Sequence, residues 1–299
     1  MISIVICSRS DKINPELARN IAETIGVDYE IICINNIDNQ YSIFQAYNIG
    51  VHKAKYDLIC FMHEDILYHT KNWGKILVSY FHNPDIGMIG VAGPTYISKI
   101  PGIWWGINNK YNMTNSTRQY NIDTDRFDRT NHHLTLNNPY KEEVSEVVAL
   151  DGLFFCIPKK LFTKISFDEK FLGFHFYDLD ISMQIKQLGY KIICVYNILV
   201  EHISRANLSK DWIFASRKFF TKWSGQLPIA SCKYDRKMKR RMEENNFQVM
   251  INILSGNQIS IFKYYTFKEK LEITFKCWRI ILKKILKRIC GGNYGVFVP

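Results

Sequence analysis

Three side chains that bind metals and move protons, His63, Glu64 and Asp65, follow directly on the apolar run Leu58-Ile59-Cys60-Phe61-Met62. A short apolar run bounded by polar residues reads as a fully buried strand of a parallel sheet. Ligands of open α/β sheets sit in the crevice beyond the carboxyl ends of such strands. One imidazole and two carboxylates at that place suit a divalent cation, and a cation there suits a phosphate-bearing substrate. A polar loop with its acids facing solvent accounts for the same residues equally well. Further polar groups follow other apolar runs: Ser8 and Arg9, Asn36 and Asp38, Asp151-Gly152, and Glu201-His202. Asp178 and Asp180 stand at i and i+2 at the mouth of a helical pattern, where carboxylates also serve as caps favoured by the helix dipole.

The elements that must position these groups are legible around them. Ile2 to Cys7 reads as a strand. Asn14-Pro15 then starts a helix that stops at Gly26. A strand at Glu30 to Ile34, a helix from Ser42 to Lys53 and the strand before His63 complete a βαβαβ nucleotide-binding half. A helix over Trp73 to Phe81 and a strand over Ile86 to Val91 follow. Residues 95–143, rich in Asn, Tyr, Trp and Thr, show little periodicity and read as a long irregular insert, a lid or a mobile segment. Regular patterns resume with strands at Val144 to Leu150 and Leu153 to Ile157, a helix from Asp178 to Leu188 closed by Gly189, a strand at Tyr190 to Val195, and an amphipathic helix from Lys210 to Trp223.

Composition narrows the class. With 47% hydrophobic residues in 299, the chain can bury a sizeable core, and wholesale disorder is excluded. No apolar run approaches the ~20 residues that span a bilayer. The opening strand lacks the features of a signal peptide. The eight cysteines include no Cys-x-x-Cys pair, which implies reduced thiols and a cytoplasmic setting. The formal charge of +11 is uneven: 15 of the 39 Lys and Arg, but 5 of the 28 Asp and Glu, lie in residues 226–299.

Together these stretches resemble the family 2 glycosyltransferases of the GT-A fold, in the branch labelled glycosyltransferase-like. The resemblance covers roughly Ile2 to Trp223. Its most specific part is Phe167-Asp168-Glu169-Lys170-Phe171-Leu172-Gly173-Phe174-His175-Phe176-Tyr177-Asp178-Leu179-Asp180-Ile181. Phe61-Met62-His63-Glu64-Asp65, Asp151-Gly152 and Glu201-His202-Ile203-Ser204 support it. It implies an α/β fold with a GT-A-type mixed sheet flanked by helices, and a helical C-terminal extension. Residues 1–225 would form the catalytic domain, 95–143 an insert or lid on the acceptor side, and 226–299 a basic helical region.

The resemblance also implies transfer of a sugar from a nucleotide-diphosphate donor to an acceptor hydroxyl, with inversion, assisted by Mn2+ or Mg2+. His63-Glu64-Asp65 stands where the family carries Asp-x-Asp, which holds a metal on the donor diphosphate. Asp65 matches the metal position. His63 replaces the first Asp, as a ligand or as a phosphate or ribose contact. His202 matches the late His that completes the metal site in many relatives. Asp178 matches the acid that deprotonates the acceptor hydroxyl, with Tyr177 in place of the family's Glu. Ser8, Arg9, Asn36, Asp38, Asn48, His63 and Glu64 fall on the nucleotide side, though turn chemistry explains Asn36 and Asp38 as well. Close helix–sheet packing is the better reading of Gly50. Asp151, Gly152, Asp180 and Trp104 fall on the acceptor side, where Trp104 either stacks on a sugar or packs the insert.

In the tail, Leu271, Phe275, Trp278, Leu282, Ile285 and Ile289 form one apolar stripe beside Lys276, Arg279, Lys283 and Lys287. A basic amphipathic helix of this kind lies on an anionic membrane surface, giving peripheral contact through 268–290. The same stripe suits packing on the catalytic domain, or on a second copy as a homodimer. The leading expectation is a bacterial surface-polysaccharide enzyme with a saccharide or lipid-linked saccharide acceptor, cytoplasmic and at the inner face of the plasma membrane. A nucleotidyltransferase shares the fold and the metal logic. Nucleic-acid binding by the tail is the third reading, but the tail lacks the aromatic and basic interleaving of such platforms, so no nucleic-acid partner is expected.

Overall fold

A computed structural model describes residues 1–104, 112–118, 120–121, 126–127, 133–203, 208–266 and 269. In chain order these give β1 (Ile2–Ser8), α1 (Pro15–Thr24), β2 (Tyr29–Asn35), α2 (Ile43–Lys53), β3 (Leu58–Met62), β4 (Ile66–Tyr68), α3 (Trp73–Tyr80), β5 (Ile86–Gly90), β6 (Ala92–Pro94) and β7 (Tyr96–Ile97). The strands β8 (Asn112–Arg118), β9 (Tyr120–Asn121), β10 (Arg126–Phe127), β11 (His133–Asn137), β12 (Val144–Val147) and β13 (Phe154–Pro158) follow. A 3-10 turn (Lys159–Thr163) leads to α4 (Tyr177–Gln187), β14 (Lys191–Val195), β15 (Val200–His202), α5 (Lys210–Lys222), β16 (Ile229–Ala230), α6 (Arg236–Gly256) and α7 (Ile261–Tyr264).

Seven strands form the main sheet in the order β12-β14-β5-β13-β3-β1-β2. β1 runs parallel to β2 and β3, with Val5 opposite both Ile32 and Phe61. β13 enters antiparallel between β3 and β5, pairing Phe155 with Phe61 and with Gly90. This is the mixed α/β sheet flanked by helices that the sequence implied. The helix starts are chemically set. Asn14 accepts from the Glu16 amide ahead of Pro15, and Ser42 with Gln45 forms a reciprocal capping box on α2. α2 lies tight on the sheet because Gly50 has no side chain: a Cβ there would stand 2.2 Å from Val5 Cγ1.

The insert differs from the irregular segment expected. β8 pairs with β11, with β6 and with β15, and β15 pairs with β4, giving a second sheet beyond the carboxyl end of β3. Main-chain pairing to these neighbours specifies β8, and its sequence Asn-Met-Thr-Asn-Ser-Thr-Arg carries no apolar alternation to announce it.

Packing also runs across the charge-based division at residue 225. β16 pairs with β7, and Ser231 donates its amide to the Thr95 carbonyl at 3.0 Å. Glu243 on α6 accepts from the Tyr96 hydroxyl at 2.7 Å and from the amides of Lys99 and Ile100 at 2.8 and 3.2 Å. Phe247, Met250, Ile251 and Leu254 of α6 are wholly buried in the same core as Ile4, Phe61 and Phe155. Among the described residues, no helix is long and apolar enough to cross a membrane. The stripe from Leu271 to Ile289, with the membrane contact drawn from it, lies outside the described residues.

Candidate active site

Polar side chains converge where β3 and β15 end, where the chain enters β13, and where α4 begins. The His63 amide donates to the Leu153 carbonyl at 3.1 Å, and the Ile203 amide to the Asp65 carbonyl at 2.9 Å. The main chain thus fastens the loop after β3 to two neighbours that are distant in sequence.

On this frame His63 Nδ1 lies 3.4 Å from His202 Nε2 and 3.8 Å from Asp65 Oδ1, and His202 Nε2 lies 3.6 Å from Asp65 Oδ1. These three atoms form a nearly equilateral triangle. With metal–nitrogen and metal–oxygen bonds of about 2.0–2.2 Å, donors to one ion stand about 3–3.5 Å apart. Two imidazoles and one carboxylate on such a triangle fit a divalent transition ion with coordination positions to spare. Burial and the adjacent His202 push the His63 imidazole pKa down, which favours the neutral form that ligates. The structure therefore places His63, expected on the nucleotide side, against Asp65 and His202.

Behind the triangle, His63 Nε2 meets the Tyr177 hydroxyl at 2.8 Å, and that hydroxyl donates to the Gly152 carbonyl at 3.1 Å. The Gly152 amide donates to Asp178 Oδ2 at 2.8 Å, and the Leu179 amide to Asp178 Oδ1 at 2.9 Å. The Asp178 pKa is pushed up to about 7, first by burial and then by the Asp151 carboxylate, against the pull of the Leu179 and Gly152 amides. A carboxylate tuned to about neutral pH is suited to accept a proton. Phe176, just before α4, takes a left-handed φ of +67°. That conformation costs a bulky residue about 1–3 kcal/mol. Its ring is held at 5.3 Å from both Trp212 and Phe219, and the turn aims Tyr177 and Asp178.

Other expected site residues are placed as follows. Ser8 donates its hydroxyl to Glu64, whose carboxylate also accepts from the Arg9 amide at 3.2 Å, so Glu64 ties the loop after β1 to the loop after β3. The Arg9 and Asp38 side chains are exposed at the carboxyl ends of β1 and β2. Four of the expected site residues also have structural partners or are buried. Asn36 exchanges two hydrogen bonds with the Tyr41 main chain, both 2.9 Å, and closes its own loop. Asn48 holds the Phe167 main chain at 2.9 and 3.1 Å, which docks the 167–169 segment on α2. Asp180 is 1% exposed and its oxygens are taken by Lys222 at 2.7 Å, Trp223 at 2.8 Å and Gln184 at 2.9 Å. Trp104 is buried in the core. Tyr177 was missed as a site residue. Its sequence signal is an aromatic ring where the resembled pattern has Glu.

A family model described as "Glycosyltransferase like family" matches residues 3–234. No curated protein matches the chain. The structure of GalNAc-T7 with UDP, GalNAc and Mn2+ is similar at 14% identity and a TM-score of 0.49, over 86% of this chain and 58% of that one. The chain thus spans less than two thirds of that protein. Residues 1–349 of S. aureus TarS are similar at 11% identity and a TM-score of 0.47, over 90% of this chain and 76% of that one. The same TarS piece in complex with UDP-GlcNAc gives 12% identity and a TM-score of 0.47, over 85% and 71%.

Proposed function

The chain belongs to the glycosyltransferase-like family, and from that membership we propose an inverting, metal-assisted transfer of a sugar from a nucleotide-diphosphate donor to an acceptor hydroxyl, with Asp178 as general base. One observation carries this reading: a two-imidazole, one-carboxylate triangle at His63, Asp65 and His202 is joined through Tyr177 and Gly152 to a carboxylate poised at about pH 7. A divalent ion, Mn2+ or Mg2+, held by the triangle would offset the charge that builds on the leaving diphosphate. Each Asp178 oxygen accepts one amide and keeps a lone pair for a proton. The acceptor oxygen bonds to the anomeric carbon as the carbon–phosphate-oxygen bond breaks. The hydroxyl proton passes to Asp178, and the electron pair leaves with the nucleoside diphosphate. Arg9 and Asp38, exposed at the same sheet end, are proposed to meet the nucleotide, while Ser8 and Glu64 hold the loop beneath it. Asp151 and Gly152 border the acceptor. A saccharide or lipid-linked saccharide acceptor in bacterial surface polysaccharide synthesis, at the cytoplasmic face of the membrane, is the setting we propose.

The test is a thermal-shift panel of nucleotide sugars on the full chain, with and without Mn2+, repeated on Asp65→Ala. A ligand that binds the native state alone raises the melting temperature. The shift should require Mn2+ and vanish in the variant, whose unliganded melting stays near that of the parent. An unchanged Mn2+-dependent shift in Asp65→Ala removes the metal role, and release of pyrophosphate instead of nucleoside diphosphate assigns the site to nucleotidyl transfer.

A further inference from the structure

Tyr177 takes no part in the transfer set out above, yet it touches the triangle directly. It is 5% exposed, and its ring is enclosed edge-on by Phe44 at 6.3 Å and Tyr47 at 5.4 Å, with Phe155 at 6.4 Å. The pocket for its hydroxyl exists only because residue 152 is glycine: a Cβ there would stand 2.0 Å from the Tyr177 oxygen.

The two hydrogen bonds of the Tyr177 hydroxyl favour one direction. A carbonyl can only accept, and a phenol has one proton to give. Both bonds are made at once only when the Tyr177 proton goes to the Gly152 carbonyl at 3.1 Å and the Tyr177 oxygen, which also neighbours the Tyr47 hydroxyl, receives the 2.8 Å bond from His63 Nε2–H. A neutral imidazole protonated at Nε2 carries its lone pair on Nδ1. Nδ1 is the nitrogen that faces His202 and Asp65. Partners behind a ligating histidine set its tautomer and ring orientation in this way.

We propose that Tyr177 is a positioning residue that fixes His63 as the Nε2–H tautomer and so makes His63 Nδ1 a metal ligand. This rests on the metal reading of the triangle, and the test separates the two. Mn2+ affinity and the visible spectrum of bound Co2+ are measured on the full chain as parent, Tyr177→Phe and Asp65→Ala. Tyr177→Phe keeps the ring and removes only the hydroxyl. It should weaken Mn2+ binding about 10-fold or more and shift the Co2+ bands, as loss of such partners does. Equal affinity with an unchanged Co2+ spectrum overturns the role of Tyr177, while loss of binding in Asp65→Ala still upholds the metal site. A parent that binds neither ion overturns both. Should Tyr177→Phe fail to fold, nitrogen-15 spectra of histidine in the metal-free parent decide: the Nε2–H form at His63 supports the proposal, and the Nδ1–H form overturns it.

Discussion

The amide of Gly152 donates to Asp178 Oδ2 at 2.8 Å, on the same residue whose carbonyl takes the Tyr177 hydroxyl. One glycine, with no side chain of its own, thus spaces the candidate base from the layer behind the candidate metal ligand.

Gly152→Ala is expected to break that spacing. The new Cβ would press on the Tyr177 oxygen from 2.0 Å, with no room in a packed aromatic cluster. Overpacking of this kind costs about 1–3 kcal/mol. Thermal melting should fall, and Mn2+ affinity and turnover should fall further than melting alone explains. A variant with parental turnover shows that the spacing is dispensable.

The pH profile of kcat/KM is expected to lose activity as pH falls through about 7, where Asp178 becomes protonated. Asp151 raises that value by like charge, so Asp151→Asn should move the acidic limb to lower pH; the amide oxygen can still accept from the Leu153 amide at 3.0 Å. Asp178→Asn should lower kcat about 10²-fold or more with donor affinity little changed. Collapse of donor affinity in that variant places Asp178 in the nucleotide site.

Asp180→Ala is expected to act on stability and not on acceptor recognition. It strips a buried carboxylate from Trp223 and Gln184, while the part-exposed Lys222 keeps Asp168 at 2.7 Å, so the loss is that of hydrogen bonds to a charged group, about 1.5–3 kcal/mol. Chemical denaturation should report that loss while the KM for acceptor stays put. A raised acceptor KM with unchanged stability reverses the assignment.

Truncation after Gln226 is expected to yield a chain that melts early or aggregates. It removes Phe247, Met250, Ile251 and Leu254 from the core, at about 1.5–3 kcal/mol each, against a total stability of about 5–15 kcal/mol. It also uncovers the β7 edge and the Lys99 and Ile100 amides. A soluble truncated form with parental melting would show that α6 is an appendage after all.

The sequence showed where groups sit along the chain better than what their lone pairs were doing. The run into His63, Glu64 and Asp65 was readable because burial and chemistry change type at one residue. Asp65 and His202 were singled out from motif positions alone; that His63 turns toward them depends on β15 pairing with β4, which motif positions do not report. Asn36, Asn48 and Asp180 have residue types that suit ligand binding, but main-chain and side-chain partners already occupy them. Nothing in composition or periodicity distinguishes a committed amide from a free one. The left-handed Phe176 and the contact of Gly152 with Tyr177 have no local signature, since both arise from tertiary packing. Around residue 225 the charge pattern and the apolar burial differ: among the described residues, Phe247, Met250, Ile251 and Leu254 beyond it share the core with Ile4 and Phe61.

The span between the two histidines has a consequence for biosynthesis. His63 and His202 are 139 positions apart. At roughly 5–20 residues per second a ribosome takes ~10 s to add that stretch. No nascent chain can own the triangle until nearly the whole main sheet has emerged. Small metal domains fold around their ion, whereas this sheet has a large apolar core of its own to assemble on. An ion taken up at the triangle would then act as a late clamp, adding about 1.4 kcal/mol for each tenfold excess of free ion over its Kd.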